Sequence, residues 1–203
     1  MKILEVKDLA LEGVKVYKFG QFPDERGYFT EPFRRSDLGL DVVQMNESFS
    51  RPNVLRGLHF QWNPYMGKLV RTLWGHMVDI VLDVRRGSLT FGKAITYDMP
   101  VTKECGEWIW VPPGFAHGNY FREHTRIEYL CTGEHSPGCE YGISVFDPDI
   151  DWSLAGGKPF FLDAVPVMSE KDKLGHTLSA WQSDENAWRF NWGLEEMAKH
   201  GRL

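Results

Sequence analysis

The chain has 203 residues, of which 42% are hydrophobic and 14% aromatic, so it can bury one sizeable core and its composition does not require two. Its formal charge of −5 at pH 7 argues against nucleic acid or an anionic membrane as a partner, because both are negatively charged themselves. No apolar run is long enough to span a bilayer, and charges interrupt the N-terminal run MKILEVKDLALEG, which therefore does not resemble a signal peptide. With three cysteines and no CxxC pair, we expect reduced thiols and a cytoplasmic protein.

Short β-runs separated by turn residues follow one another along most of the chain. They are rich in β-branched and aromatic residues, and Gly, Pro, Asn or Asp stands between them: VKVYKFG, YFTEPF, VVQMNESFS, VLRGLHFQ, KLVRTLW, MVDIVLDV, GKAITYDM, EWIWVPP, GNYFRE, TRIEYLCT and YGISVFD. Their spacing is irregular and no unit repeats, which favours a sandwich or barrel over a propeller or solenoid. The sequence therefore predicts an all-β fold.

The character of the chain changes after the turn-rich segment DPDIDWSLAGGKP. Ser169 is placed to N-cap a short helix over EKDKLG, and helix-favouring residues recur from Asp184 to His200. We predict a main domain over residues 1–178 and a helical extension over residues 179–203. The tryptophans of the extension, Trp181, Trp188 and Trp192, favour docking onto the barrel or a dimer interface over a new site.

The run VLRGLHFQ, residues 54–61, places an arginine and a histidine three positions apart in a predicted strand. On a regular strand, Arg56 and His59 would point to opposite faces. Gly57 stands between them, and a glycine inside a strand commonly marks a bulge or a close backbone approach. A bulge would bring the guanidinium and the imidazole together, a pair suited to binding an anion and moving a proton.

The run GEWIWVPPGFAH resembles the second motif of the cupins, which implies a small double-stranded β-helix barrel. Because some cupins bind a metal, this resemblance raises the question of a metal site. Metal-binding cupins also carry an HxH pair followed by a glutamate. Here the corresponding segment reads His59-Phe60-Gln61, and Phe121 stands where the asparagine four residues after His117 is expected. We therefore expect a cupin-like jelly roll with short C-terminal helices and without a metal.

Several ordered motifs resemble those of the dTDP-4-dehydrorhamnose 3,5-epimerase family. They are DERGYFTEPF, VLRGLHFQ, GKLVR, DIVLDVRRGSLTFG, WVPPGFAHG, EYLCT, DPDIDW and SEKDK. The resemblance covers about Leu11 to Gly175, most of the chain. The resemblance implies a jelly-roll homodimer that needs neither cofactor nor metal. It also implies epimerisation of a nucleotide-linked 4-keto-6-deoxy sugar.

The chemistry of such a reaction explains the residue types. Hydrogens at C3 and C5 lie next to the C4 ketone, so their removal gives an enolate, and inversion requires reprotonation from the opposite face. The resemblance implies His59 as the base and Asp172 as its orienting partner. It likewise implies Lys68 beside the enolate oxygen and Tyr129 as the proton donor across the sugar.

Further residues would hold the substrate. The resemblance matches Arg26 and Arg56 to diphosphate-binding arginines, a role that suits a planar guanidinium. It places Glu31, Gln44 and Asn46 near the nucleotide and sugar. His117 and Asp83 match a second pair near the site, although Asp83 is equally explained as a structural acid paired with Arg85 or Arg86.

The chain departs from the family after the tyrosine, where a segment like KTTDYYAPEHE is replaced by LCTGEHSPGCE. His135 thus stands where an aromatic residue usually lies near the sugar, which leaves open epimerisation at C3 alone. Two alternatives to the epimerase remain at this level. One is a catalytically silent cupin that binds the nucleotide sugar, and the other is a metal-dependent cupin oxygenase.

Overall fold

Thirteen β-strands supply most of the regular structure in the computed structural model, which describes residues 1–190. They are β1 (Ile3–Asp8), β2 (Lys15–Gly20), β3 (Phe22–Asp24), β4 (Gly27–Phe29), β5 (Gln44–Ser50), β6 (Leu55–Gln61), β7 (Lys68–Trp74), β8 (His76–Asp83), β9 (Ala94–Pro100), β10 (Cys105–Val111), β11 (Phe115–Phe121), β12 (Thr125–Cys131) and β13 (Glu140–Gly142). None of the helices between residues 1 and 190 has the length and hydropathy that a membrane span requires.

The strands form two antiparallel sheets and a separate hairpin of β3 and β4. The larger sheet has the order β1-β2-β10-β7-β12-β5, and the smaller has the order β13-β6-β11-β8-β9. From β5 to β8 and again from β10 to β12, consecutive strands alternate between the two sheets. This crossing pattern is that of a jelly roll, so the predicted all-β, cupin-like fold is confirmed.

An apolar core fills the space between the two sheets. Its side chains come from both sheets and include Val16, Val70, Ile109 and Ile127 on one side and Met77, Val81, Phe115 and Phe121 on the other. The run MVDIVLDV is almost wholly buried because β8 is covered on both faces. Its alternate residues Val78, Ile80 and Leu82 belong to a second apolar cluster that also contains the C-terminal segment.

Three short helices, α1 (Arg35–Leu38), α2 (Glu170–Lys173) and α3 (Leu178–Ser183), complete the regular structure together with 3₁₀ turns. The predicted N-cap of α2 is confirmed, since the Ser169 hydroxyl accepts a hydrogen bond of 3.2 Å from the Asp172 amide. The helix predicted from Asp184 is a 3₁₀ turn over Glu185–Phe190. The rest of that prediction, including Trp192, lies outside the described residues.

The predicted strand YFTEPF is only partly correct, because β4 ends at Phe29. The following segment instead crosses the outer face of the six-stranded sheet, where Phe33 and Leu40 pack beside Trp108. The Trp108 indole donates a hydrogen bond of 2.6 Å to the Pro32 carbonyl. Burial of apolar surface against the sheet thus takes the place of strand pairing in this segment.

Candidate active site

The strand β6 carries the bulge that the sequence predicts at Gly57. In the pairing of β6 with β11, His59 lies opposite His117 and Arg56 lies opposite Asn119, so three steps along β6 match two along β11. Gly57 has φ +112°, and a Cβ placed there would lie 2.6 Å from the Cα of Gly118. As a result, Arg56 and His59 line the same cavity of about 510 Å³, and their predicted convergence is confirmed.

His59 and Asp172 meet at the wall of this cavity. Nε2 of His59 lies 2.7 Å from Oδ1 of Asp172. Burial acts to raise the pKa of Asp172, but the neighbouring His59 imidazole and the Ser169 hydroxyl outweigh it and leave this pKa below its usual value. The Asp172 carboxylate is therefore ionised beside the ring. Helix α2 brings it to β6 from a distant part of the sequence.

Lys68 and Tyr129 face the cavity from the larger sheet. In the pairing of β7 with β12, Lys68 lies opposite Cys131 and Tyr129 lies opposite Val70, so both polar side chains share the inner face of the sheet. Burial lowers the pKa of Lys68 and raises the pKa of Tyr129. Tyr129 is consequently held in its neutral, proton-donating form.

The same register places two more of the predicted residues. Strand β5 pairs with β12 so that Gln44 lies opposite Cys131 and Asn46 lies opposite Tyr129. Both amides line a second chamber of about 310 Å³, together with His135. His59, Lys68 and Tyr129 line both chambers, so the two spaces meet at these three side chains.

His117 lines the larger chamber, but its partner differs from the one expected. Nε2 of His117 lies 2.8 Å from Oδ2 of Asp79, which also accepts a hydrogen bond of 3.0 Å from the Asn119 amide. Asp83 instead binds the Arg85 guanidinium, with a shortest distance of 2.8 Å. The pairing of His117 with Asp83 was therefore wrong, and the structural reading of Asp83 is correct.

Glu140 and Lys171 are site residues that the sequence reasoning missed. Nζ of Lys171 lies 2.6 Å from Oε2 of Glu140, and the same carboxylate lies 4.0 Å from Nδ1 of His59 and 3.6 Å from Nε2 of His135. Burial acts to raise the pKa of Glu140, but Lys171 and His59 outweigh it and lower this pKa. An isolated glutamate after a Pro-Gly turn carries no sequence signal, because only the pairing of β13 with β6 brings it here.

Arg26 and Glu31 do not reach the cavity of this chain. The guanidinium of Arg26 is 84% exposed and binds Asp24 at 2.6 Å within the β3–β4 hairpin, every strand residue of which is exposed. Glu31 binds Arg34 at 2.6 Å and the amino terminus of Met1. Neither side chain lines the two chambers, so their predicted contact with substrate has no support within one chain.

The residues around the cavity do not form a typical metal site. Within the described part of the chain, no group of three or more His, Cys, Asp or Glu side chains is arranged to hold a metal ion. His59 is followed on β6 by Phe60 and Gln61, and the Gln61 amide is bound to the carbonyls of Pro64 and Glu134. A histidine, a tyrosine and a lysine, His59, Tyr129 and Lys68, converge instead around an open space.

Residues 8–180 match the family described as dTDP-4-dehydrorhamnose 3,5-epimerase. The protein of that name from Neisseria gonorrhoeae is 35% identical over 193 residues, which cover 92% of this chain and 56% of the relative. The one from Sinorhizobium fredii is 40% identical over 178 residues, covering 82% of this chain and 85% of the relative.

A solved structure gives a similar match. It is that of the dTDP-6-deoxy-D-glucose-3,5-epimerase from Legionella pneumophila in complex with dTDP-4-keto-L-rhamnose, with a TM-score of 0.76 and 32% identity over 90% of this chain and 96% of that one. This chain thus spans little more than half the length of the Neisseria relative and most of the length of the other two proteins.

Proposed function

Because this chain belongs to the dTDP-4-dehydrorhamnose 3,5-epimerase family, we propose that it inverts C3, or C3 and C5, of a nucleotide-linked 4-keto-6-deoxy sugar. The observation that carries the proposal is the convergence of His59, Lys68 and Tyr129 at the junction of two chambers, with Asp172 in contact with the histidine. These four residues come from β6, β7, β12 and α2. A cavity that only bound the sugar would have no use for a base and an acid facing the same space.

Proton removal is assigned to His59. The ionised Asp172 lies next to Nε2, which favours a proton on that nitrogen and leaves Nδ1 with the lone pair. Nδ1 then takes the proton from the carbon next to the ketone, and Asp172 stabilises the imidazolium that forms. Because Asp172 is fixed by the cap of α2, the ring is held in one orientation before the substrate arrives.

The enolate and its reprotonation are assigned to the larger sheet. Lys68 carries a desolvated ammonium, and negative charge developing on the C4 oxygen offsets the cost of that desolvation. Tyr129, held neutral by its raised pKa, returns a proton to the carbon from the face opposite His59. The proton balance is kept when Tyr129 regains a proton from solvent and the imidazolium releases one.

The substrate is proposed to lie across both chambers. Arg56 lines the larger one and is suited to the diphosphate, a role that its planar guanidinium favours, and it donates hydrogen bonds to the Ser50 hydroxyl and the Phe49 carbonyl. Gln44 and Asn46 line the smaller one and present amide groups to the remaining polar parts of the ligand. The three unpaired cysteines fit a reducing compartment, and we propose the cytoplasm.

Hydrogen exchange tests the proposed reaction directly. The protein is incubated in deuterated water with dTDP-4-keto-6-deoxyglucose and, separately, with the UDP-linked sugar, and NMR follows deuterium at C3 and C5. We expect incorporation at C3, alone or with C5, and faster with the nucleotide that the protein prefers. Tight binding of the nucleotide sugar without exchange at either carbon would contradict the epimerase and support a silent binding protein.

A further inference from the structure

We propose that Trp181, which lies just beyond the end of the family match at residue 180, positions the two carboxylates that flank His59. It is inferred to act through Tyr141, whose neighbour Glu140 faces one ring nitrogen of His59, and through His176, which follows the Asp172 segment. This inference rests on the proposed function. Trp181 belongs to the region over residues 179–203, which the sequence predicts to be an extension of the main domain.

Trp181 is fully buried on the outer side of the smaller sheet. Its ring centre lies 4.6 Å from that of Phe60 on β6 and 5.0 Å from that of Tyr141 on β13. The indole N–H donates a hydrogen bond of 2.9 Å to the Val84 carbonyl. The indole N–H thus fixes one end of the ring, and the ring packs against β6 and β13, the two strands that carry His59 and Glu140.

Tyr141 transmits this contact to Glu140. In the pairing of β13 with β6, Glu140 lies opposite Gln61, Tyr141 opposite Phe60 and Gly142 opposite His59. Successive side chains of a strand point to opposite faces. Because Tyr141 points toward Trp181, Glu140 points toward the cavity. Because β13 has only three residues and lies at the edge of the sheet beside β6, the packing of Tyr141 adds to this single strand pairing in fixing its position.

Tyr141 also stacks on His176, with ring centres 4.3 Å apart and an angle of 27° between the planes. The His176 amide donates a hydrogen bond of 2.9 Å to the Gly142 carbonyl, and the Ser144 amide donates one of 2.8 Å to the His176 carbonyl. His176 stands four positions after Asp172 along the chain. The rings of Trp181, Tyr141 and His176 thus form a column that reaches both carboxylate segments.

The two carboxylates matter because each faces a different nitrogen of the proposed base. Oδ1 of Asp172 is 2.7 Å from Nε2, and Oε1 of Glu140 is 4.0 Å from Nδ1. A displacement of about 1 Å at a reacting group costs up to about 100-fold in rate. A change in the aromatic column is therefore expected to reduce the rate of proton removal more than the binding of nucleotide.

The variants Trp181→Leu and Tyr141→Leu test this inference, with Trp181→Phe and Tyr141→Phe as conservative counterparts. Tyr141 is only partly buried, so its variant remains informative where Trp181→Leu does not fold. Trp108→Leu is the matched control, because Trp108 is also buried and donates its indole N–H to a backbone carbonyl, but packs on the other sheet. For each protein, Tm, affinity for dTDP, and kcat and KM for exchange at C3 are measured at a temperature where circular dichroism shows it folded.

We expect kcat to fall about tenfold or more in both leucine variants with KM within about twofold, and to return within about twofold in the phenylalanine variants. Trp108→Leu should lower Tm and leave kcat unchanged.

Wild-type kcat in folded Trp181→Leu and Tyr141→Leu, with only a lower Tm, would overturn the inference. The ¹⁵N shifts of the His59 ring give a second readout, and unchanged shifts in both leucine variants would also overturn it. If the wild-type protein binds dTDP but exchanges neither carbon, the proposed function fails, while these shifts still decide whether Trp181 positions His59.

Discussion

At the scale of single residues, two carboxylates from distant parts of the sequence flank the ring of His59. Asp172 lies beside Nε2 and Glu140 beside Nδ1, at 2.7 and 4.0 Å. The contact with Asp172 orients the ring for the proposed proton transfer. The assignment of His59 as the base therefore predicts a loss of chemistry that is separable from binding.

His59→Asn should abolish exchange at the carbon next to the ketone and leave affinity for dTDP within about threefold, because the imidazole acts on the sugar rather than on the nucleotide. Exchange by NMR and dTDP binding by calorimetry check the two parts. Wild-type exchange rates in this variant would remove His59 from the mechanism.

The proposed role of Lys68 beside the enolate oxygen predicts a cost in stability. Burial lowers its pKa in the folded protein, so folding becomes more favourable as the pH rises through that lowered value. Lys68→Met should therefore raise Tm at neutral pH, by roughly 2–4 °C, and flatten this pH dependence. The same change should reduce exchange by about 100-fold or more. A lower Tm with retained exchange would contradict both expectations, and calorimetry at several pH values measures the first.

Gly57 is required by the bulge rather than by the chemistry itself. An added Cβ would meet the Cα of Gly118 at 2.6 Å and the carbonyl oxygen of His117 at 2.7 Å, in a backbone conformation that side chains rarely adopt. Gly57→Ala should destabilise the protein by about 2 kcal/mol or more, measured by urea unfolding. Gly156→Ala is the control, because φ there is +82° and no atom lies within 4 Å of the added Cβ. An equal effect of the two changes would show that close packing at Gly57 is unimportant.

At the scale of elements, the segment between β12 and β13 forms a wall of the smaller chamber where the sequence departs from the family pattern. The amide of His135 donates a hydrogen bond of 2.9 Å to the Gln44 side chain, and that of Ser136 donates one of 2.7 Å to the Gln61 side chain. The backbone of the segment is therefore tied to β5 and β6. The His135 side chain is 54% exposed and faces Glu140, so its ring packs loosely where it lines the smaller chamber.

A looser wall should affect the second inversion more than the first, because the intermediate must be held while a second carbon meets the same base and acid. We expect C3 to exchange faster than C5 and a product inverted at C3 alone to accumulate. His135→Tyr should raise the fraction of doubly inverted product several-fold with little change at C3. Equal exchange at both carbons of the wild-type protein, followed by NMR from early times, would contradict this expectation.

At the scale of the whole molecule, two exposed features favour a dimer. Strand β1 pairs with β2 of its own chain and forms an edge of the larger sheet, with Leu4 and Val6 about half exposed. The β3–β4 hairpin is exposed and carries Arg26, Tyr28 and Phe29. We propose a symmetric homodimer in which the N-terminal edge strand pairs with the partner barrel and the hairpin contributes Arg26 to the partner's cavity.

Subunit mixing tests this proposal. Arg26→Ala and His59→Asn should each be inactive as pure dimers, whereas a mixture refolded from equal amounts should recover about a quarter of wild-type exchange, since half of the dimers would contain one intact site. Sedimentation at micromolar concentration should show a dimer in every case. A monomer, or no recovery on mixing two dimeric variants, would contradict the shared site.

The sequence by itself determined the features that depend on local periodicity. Alternating apolar runs specify strands and the faces that they bury, Gly57 specifies the bulge, and Ser169 specifies the start of α2. The roles of Lys68 and Tyr129 came from resemblance rather than from pattern, because a lysine or tyrosine in a strand has no distinctive period.

Only the tertiary structure decided which polar groups meet. Asp79 and Asp83 lie on the same face of β8, each two positions from Val81, which pairs with His117. Asp83 is bound by the segment after β8, through Arg85, Ser88 and Thr90, and Asp79 is the carboxylate that contacts His117. Strand pairing and packing bring Glu140, Lys171 and Trp181 near His59 from distant segments. Arg26 points away from the cavity because the β3–β4 hairpin forms a separate two-stranded sheet. A strand's period fixes the face on which a side chain lies, whereas its partner depends on long-range pairing, whose free energy comes from burying the whole core.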